Sequence, residues 1–234
     1  RSRLAENRAK LLQYRNRRPR PLLDDKIILG WNALMITACC KAFGALGKQE
    51  YADMAIRNLD FIRQKLRTTS GKFFHVYKEL GKHPAFLDDC AYLIQGLIHL
   101  QEITGDQQYL EEARVLTEWV IEHFSEAETG FFYFTHEDQA DVIVRKKEVY
   151  DGAVPSGNAV MAFNLYYLGV VYNNGDWRER AMKMCASLMR VVTRYPGSFG
   201  MWAMLIMGLT WSVPEIAIIG EELGKVRIEF LRTF

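Results

Sequence analysis

Gly47-Lys-Gln-Glu-Tyr51-Ala-Asp-Met-Ala55 and Gly105-Asp-Gln-Gln-Tyr109-Leu-Glu-Glu-Ala113 are two copies of one pattern, about 58 residues apart. Each runs on to a second glycine that opens an aromatic stretch, Gly71-Lys-Phe-Phe-His-Val-Tyr77 after the first and Gly130-Phe-Phe-Tyr-Phe134 after the second. A third copy, Gly175-Asp-Trp177-Arg-Glu-Arg-Ala181, follows a longer interval. Self-similarity at such a period is the mark of a stacked array, because one unit cannot bury its own apolar face.

The helices on either side of each copy differ in kind. Those before it, Trp31 to Phe43, Cys90 to Leu100 and Ala159 to Tyr172, are apolar almost all round, as a helix buried on every side must be. Those after it are amphipathic. Tyr51, Met54, Ala55, Leu59 and Ile62 share one face, with Glu50, Asp53, Arg57 and Arg63 opposite. Tyr109, Ala113, Leu116, Val120 and Phe124 repeat the stripe, as do Trp177, Ala181, Met184, Leu188 and Val192. Alternating buried and half-exposed helices require an inner ring shielded by an outer one. The expected fold is mainly α, a partial α/α toroid of about three helical hairpins with short aromatic strands on one rim. Those aromatics either stack on a sugar or cover the helix ends.

The flanks differ in character. Residues 1–22 form a basic helix and linker, with eight Arg or Lys among the first twenty positions and Pro19 and Pro21 ending the helix. Residues 23–212 are the toroid segment, closing on a last buried helix from Trp202 to Trp211. Residues 213–234 read as the start of a truncated α/β appendage, opening with a strand Glu215-Ile-Ala-Ile-Ile-Gly220. The chain starts without Met and stops after Leu231-Arg-Thr-Phe234, so a segment of a longer protein is expected.

Composition narrows the partners. With 49% hydrophobic residues and a net charge of +2, no global field selects nucleic acid or membrane. No apolar run is expected to reach the ~18 residues a span needs, the longest candidate being Ala159 to Tyr172, interrupted by Asn164 and Gly169. Cys39, Cys40, Cys90 and Cys185 sit in apolar helical stretches without a CxxC, which points to inert thiols and a cytoplasmic protein. No metal-ligand spacing, phosphate loop or GxSxG elbow occurs, so neither a cofactor nor a metal is expected.

In a toroid the inner helices point the same way, and their N-termini converge on one mouth. Aligned repeats put Asp24-Asp25 with Trp31-Asn32 at the first entrance, His83 through Asp88-Asp89 at the second and Asp151 with Ser156-Gly-Asn158 at the third. Carboxylates from different repeats, held several ångströms apart, suit acid and base roles in sugar chemistry. Asp25, Asp88, Asp89 and Asp151 are the catalytic candidates. Trp31, Asn32, Phe74, His83, Tyr92, Ser156 and Asn158 are the substrate-binding candidates. Each acid or serine before a helix is equally an ordinary N-cap. Adjacent residues on a helix diverge by about 100°, so Asp88 and Asp89 face different ways: one is functional or bonded to a neighbouring helix, the other a cap.

Three stretches carry a family resemblance. Arg18-Pro-Arg-Pro-Leu-Leu-Asp24-Asp25-Lys26 with Trp31-Asn32-Ala-Leu-Met-Ile, then Phe86-Leu-Asp88-Asp89-Cys-Ala-Tyr92-Leu, then Val154-Pro-Ser156-Gly-Asn158-Ala, resemble the signatures of thioredoxin-domain proteins related to spermatogenesis-associated protein 20. The resemblance implies a longer protein with a thioredoxin-like domain followed by a six-hairpin glycosidase-type barrel, similar to N-acylglucosamine 2-epimerases and unsaturated glucuronyl hydrolases. This chain matches the later half of that barrel. Six hairpins at this period need about 350 residues, so an open arc is expected, completed by the first half of the barrel or by self-association through its edges.

Two functions compete. One is a carbohydrate-processing or carbohydrate-binding module, hydrolase- or epimerase-like. The other is a non-catalytic scaffold for a thioredoxin domain. Nucleic-acid binding by the N-terminal arginines is a distant third, since Tyr14 alone among them is aromatic.

Overall fold

A computed structural model describes residues 2–139, 142–211 and 219–233. The chain begins with α1 (Ser2–Arg15), a basic helix with no buried residue. A short strand β1 (Ile27–Ile28) leads into three helical hairpins: α2 (Leu29–Leu46) with α3 (Gln49–Lys65), α4 (Leu87–Thr104) with α5 (Gln107–Phe124), and α6 (Gly157–Val171) with α7 (Gly175–Arg194). A further inner helix, α8 (Gly200–Trp211), and a C-terminal helix, α9 (Leu223–Thr233), complete the described part.

The repeated glycine is the device that turns each inner helix into its outer partner. Gly47 and Gly105 end α2 and α4 in the left-handed conformation, at φ of 64° and 76°, and each returns its N–H to a carbonyl four residues back. That geometry is nearly free for glycine and strained for other residues. In the third hairpin Asn173 takes the left-handed position at φ 50°, and Asn174 caps the helix that Gly175 begins. The third copy is therefore offset by two residues from the alignment that its glycine suggests, because asparagine has taken over the turn.

Layering follows the predicted asymmetry. α2, α4, α6 and α8 lie side by side as an inner row, and α3, α5 and α7 each pack on the inner helix before them. Ala55, Ala113 and Ala181 are fully buried at equivalent positions, where a small side chain lets the outer helix approach closely. On α3 the buried stripe is Ala52, Ala55, Leu59 and Ile62, while Met54, expected inward, is exposed. Each fully buried Leu or Ile of this seam contributes about 1.5–3 kcal/mol.

Burial along the inner row depends on position in it. α4 has neighbours on both sides and is buried almost all round. α2 leaves Trp31 and Met35 exposed, and α8 leaves Met204, Met207 and Trp211 exposed. The expectation of a last buried helix from Trp202 to Trp211 is thereby corrected: Trp202 and Leu205 are buried, Met201, Ala203, Ile206 and Leu209 pack partly on the core, and Met204, Met207 and Trp211 face solvent. Against the expectation that no apolar run reaches the length of a span, α2 is long and apolar enough to cross a membrane by length and composition alone. Its apolarity is accounted for by packing against α3 and α4.

The aromatic runs form the rim above the N-termini of the inner helices. β1, β2 (Phe74–Lys78) and β3 (Leu80–Pro84) make a three-stranded antiparallel sheet, with Ile28 opposite Val76 and Val76 opposite Lys82. The second run contributes a single bridge, Ser125 to Phe132. Phe73, Phe131 and Phe132 are buried, so these aromatics cover helix ends. Four free cysteines are buried.

At the opposite end, α9 crosses the C-termini of α2 and α4. Arg232 lies against Gly47 and Arg227 against Gly105, two guanidinium groups at the negative ends of helix dipoles. The strand expected over 215–220 falls largely on 212–218, outside the described residues; Ile219 and Gly220 are not in a strand. A Cβ on Gly105 would lie 2.1 Å from Arg227 Nη1 and would occupy a left-handed backbone. Gly105→Ala is therefore expected to cost about 1–2 kcal/mol and to loosen α9. Urea unfolding and the rate of tryptic cleavage within 223–233 measure the two effects.

Candidate functional site

The N-termini of the inner helices are tied together by carboxylates, each reaching from one repeat to the next. Asp89, in the first turn of α4, accepts the Gly30 N–H of α2 on Oδ1 at 2.8 Å. Its Oδ2 accepts the Phe86 N–H at 2.9 Å and faces His75 Nδ1 at 2.8 Å. Asp88 accepts the Gly157 N–H of α6 at 3.0 Å. Asp151, in the segment before α6, accepts the Ser156 N–H at 2.9 Å and the Met201 N–H of α8 at 2.8 Å. Three acids thus satisfy orphan donors on three neighbouring helices and set negative charge against the positive dipole ends.

Close approach makes the glycines at these junctions necessary. A Cβ on Gly157 would lie 2.2 Å from Asp88 Oδ1, and one on Gly30 would lie 2.9 Å from Asp89 Oδ1. Of the Asp88-Asp89 pair, expected as one acid functional or bonded to a neighbouring helix and the other a cap, Asp88 bonds to the neighbouring helix α6 and Asp89 is the cap, with a further bond to α2 that the expectation lacked. Both bond to neighbouring helices, in opposite directions, and Asp89 also caps its own helix.

Electrostatics distinguish the two. Burial, reinforced by the neighbouring Asp89, raises the Asp88 carboxyl from 3.8 to about 6. The hydrogen bond to Asp89 raises the His75 imidazole above its ordinary value. His75 is 28% exposed and Asp89 only 3%, so the pair is a buried carboxylate orienting an imidazole that solvent reaches. Tyr92, buried, donates its hydroxyl to the Pro155 carbonyl. Burial raises its pKa first, and the negative charges of Asp88, Asp89 and Asp151 add to the rise.

The remaining candidates divide. Ser156 is the N-cap of α6, its hydroxyl accepting the Ala159 N–H at 3.2 Å. Asn158 is fully buried and clasps Phe132 through both N–H and carbonyl, at 2.8 and 3.0 Å, with Glu148 O as a third partner. It is a structural link between rim and helix, closed off from solvent with its oxygen and both its N–H groups engaged. Asn32 donates to the Ile28 carbonyl at 2.8 Å.

Phe74 packs on Gly81, where a Cβ would lie 2.1 Å from its ring. Trp31, in the first turn of α2, is 67% exposed. His83 is exposed on β3. Asp25 is held by Lys78 at 2.6 Å, and that hydrogen bond keeps its carboxyl below the usual range.

His75, expected only as part of the aromatic rim, joins this cluster through Asp89. It stands fourteen residues from Asp89, and no local spacing ties an imidazole in a strand to an acid in the next helix. Among the described residues no group of three or more His, Cys, Asp or Glu is arranged to hold a metal ion.

Two predictions follow from the clamp. Asp89→Ala strips partners from Gly30, Phe86 and His75 at once and is expected to cost about 2–4 kcal/mol in urea unfolding. Asp88 is different in sign. Its folded pKa lies above the unfolded one, so the folded state binds the extra proton and stability falls as pH rises from 3.8 to about 6. Asp88→Asn, whose amide oxygen still accepts the Gly157 N–H, is expected to gain on the order of 2 kcal/mol at pH 7 and nothing at pH 4. Parallel stability profiles for the two proteins would contradict the raised pKa.

Comparison with known proteins identifies the fold and the relatives. No family model matches the chain. It is 26% identical over 227 residues to human spermatogenesis-associated protein 20, covering 92% of this chain and 29% of that protein. An uncharacterized protein of Caenorhabditis elegans is 33% identical over 179 residues, 73% of this chain and 24% of its own. The chain therefore spans less than a third of the curated relatives it matches.

Solved structures that resemble it include a GH76 α-mannanase of Bacteroides thetaiotaomicron, with a TM-score of 0.58 at 17% identity, covering 71% of this chain and 46% of that one. A D-mannose isomerase gives 0.55 at 17% identity, covering 68% and 40%. An α-1,6-mannanase of Salegentibacter gives 0.56 at 15%, covering 69% and 47%. The last is described as an inactive variant, with two consecutive aspartates changed to asparagine, in complex with α-1,6-mannotriose. The chain is similar in sequence to spermatogenesis-associated protein 20, and its fold is that of part of a six-hairpin glycosidase-like α/α toroid.

Proposed function

We propose that the converging N-termini of α2, α4, α6 and α8 belong to the mouth of a carbohydrate-processing toroid, hydrolase- or epimerase-like, in which Asp88 is the titratable acid. The observation that carries this reading is the Asp88 carboxyl itself, raised to about 6 while one oxygen is held by Gly157. An acid that exchanges its proton near neutral pH suits general acid–base work at a sugar hydroxyl or glycosidic oxygen. The His75–Asp89 pair supplies an oriented imidazole beside it. Support also comes from the likeness to a mannanase whose described inactive variant has lost two consecutive aspartates, the arrangement of Asp88 and Asp89 here.

A second reading is favoured by a specific observation. Asp89 and Asp151 spend their carboxylates on helix N-termini, and Asp25 on Lys78. On that reading the segment is a scaffold that presents a thioredoxin-like domain of the longer protein. In either case the exposed stripes of α2 and α8 are faces for the first half of the barrel, or for a second copy where that half is missing. Four buried free thiols suit a cytoplasmic protein.

The deciding experiment uses the full-length protein and α-1,6-mannobiose, D-mannose and cellobiose as probes. Binding and turnover are followed by calorimetry and product analysis, for the parent and for Asp88→Asn. The carbohydrate reading expects turnover to fall by 10²-fold or more in a variant that folds at least as stably as the parent. A parent that binds and converts none of these sugars sinks it and leaves the scaffold.

A further inference from the structure

We infer that Glu148 is the second working carboxylate of the mouth, the base that activates water while Asp88 protonates the leaving oxygen of a glycoside. This role rests on the carbohydrate reading above and narrows it to hydrolysis. Three of the four acids expected at the mouth are spent. Asp25 is held by Lys78, Asp89 by Gly30, Phe86 and His75, and Asp151 by Ser156 and Met201. His75 is drawn towards its protonated form by Asp89, which leaves it a poor proton acceptor.

Backbone hydrogen bonds bring Glu148 to Asp88. The Leu87 N–H donates to the Phe134 carbonyl at 2.9 Å, and the Phe134 N–H donates to the Lys146 carbonyl at 2.8 Å. The segment 146–148 therefore runs two strand widths, about 10 Å, from the start of α4. Asn158 ties the same segment from the other side. Its Nδ2 donates to the Glu148 carbonyl at 2.9 Å, and the N–H of its neighbour Gly157 donates to Asp88 Oδ1 at 3.0 Å. Consecutive residues of α6 thus hold both acids. In keeping with that placement, the Glu148 charge joins burial and Asp89 in raising the Asp88 carboxyl, while His75 opposes them.

The two surroundings differ as the chemistry needs. Asp88 takes the Gly157 N–H on Oδ1, so its proton sits on Oδ2. Among the described residues that oxygen has no hydrogen-bond partner and is not sealed from solvent. Glu148 is exposed, and its carboxylate makes no hydrogen bond or ion pair there. Carboxyl groups about 6.5–9.5 Å apart hold a water between them and invert the anomeric centre. Glu148 removes a proton from that water as its oxygen bonds the anomeric carbon. The glycosidic C–O bond breaks, the leaving oxygen takes the Asp88 proton, and an inverted hemiacetal and an alcohol result. Each acid then exchanges one proton with solvent.

The test uses the full-length protein with α-1,6-mannobiose and cellobiose. Glu148→Gln is expected to lower turnover by about 100-fold or more at unchanged urea stability, and to remove the acidic limb of the pH–rate profile. Azide added to Glu148→Ala is expected to restore turnover and to give a glycosyl azide, with no rescue of Asp88→Asn. Turnover lost in Asp88→Asn but kept in Glu148→Gln overturns the role of Glu148 and leaves the proposed function standing. A product of retained configuration, or azide without effect, does the same. A parent that converts neither sugar overturns both.

Discussion

Everything at the mouth of this arc depends on two consecutive aspartates pointing in different directions. Because neighbouring helical residues diverge by about 100°, Asp88 and Asp89 reach α6 and α2 respectively from a single turn of α4. A side chain that caps its own helix leaves that helix's neighbours unconstrained. These caps cross between repeats, so the spacing of three inner helices is set where their dipoles would otherwise repel. Glycine at the receiving positions is the complement of that constraint, since a methyl group at Gly157 would overlap the Asp88 carboxylate. The same crowding that places Asp88 also dehydrates it, and dehydration beside a second acid raises its pKa. Structural clamp and titratable group are two consequences of one position.

The fold was legible because its signals are local. The left-handed glycines, the all-round apolarity of inner helices and the stripes of outer ones are each read within a single turn or helix. Where they failed, the cause was a partner elsewhere in the chain. Asn173 took the turn that glycine holds in the other hairpins, and Gly175 drew the alignment two residues away. The apolar α8 was expected to be buried, but apolarity states what a helix can pack against, while exposure depends on who stands beside it.

The site was half legible for the same reason. Aligned repeats brought the right acids to the right end, since Gly30 and Asp89 are 59 residues apart, close to one repeat. Which groups would be consumed was hidden. Asn158 and Ser156 sit in a motif that suits a ligand, yet their hydrogen bonds close on Phe132 and on the helix backbone. The tie of His75 to Asp89 was missed because that partner lies across a strand-to-helix junction rather than along a helix face.

The inner row also fixes how the exposed surface of the arc should be understood. α4, flanked on both sides, buries side chains of the same kind that α2 and α8 leave in solvent. Trp31 and Met35 at one end, with Met204, Met207 and Trp211 at the other, are therefore core residues by chemistry and surface residues by position. Single exposed apolar side chains call for no explanation, but stripes at helical spacing on the two outermost helices of one row do. Each continues the packing face that inner helices use among themselves. A helix set against either stripe would meet the kind of surface α4 already meets twice. The mouth would then gain further N-termini, and Asp88 would lie deeper within a ring than at the middle of an open arc.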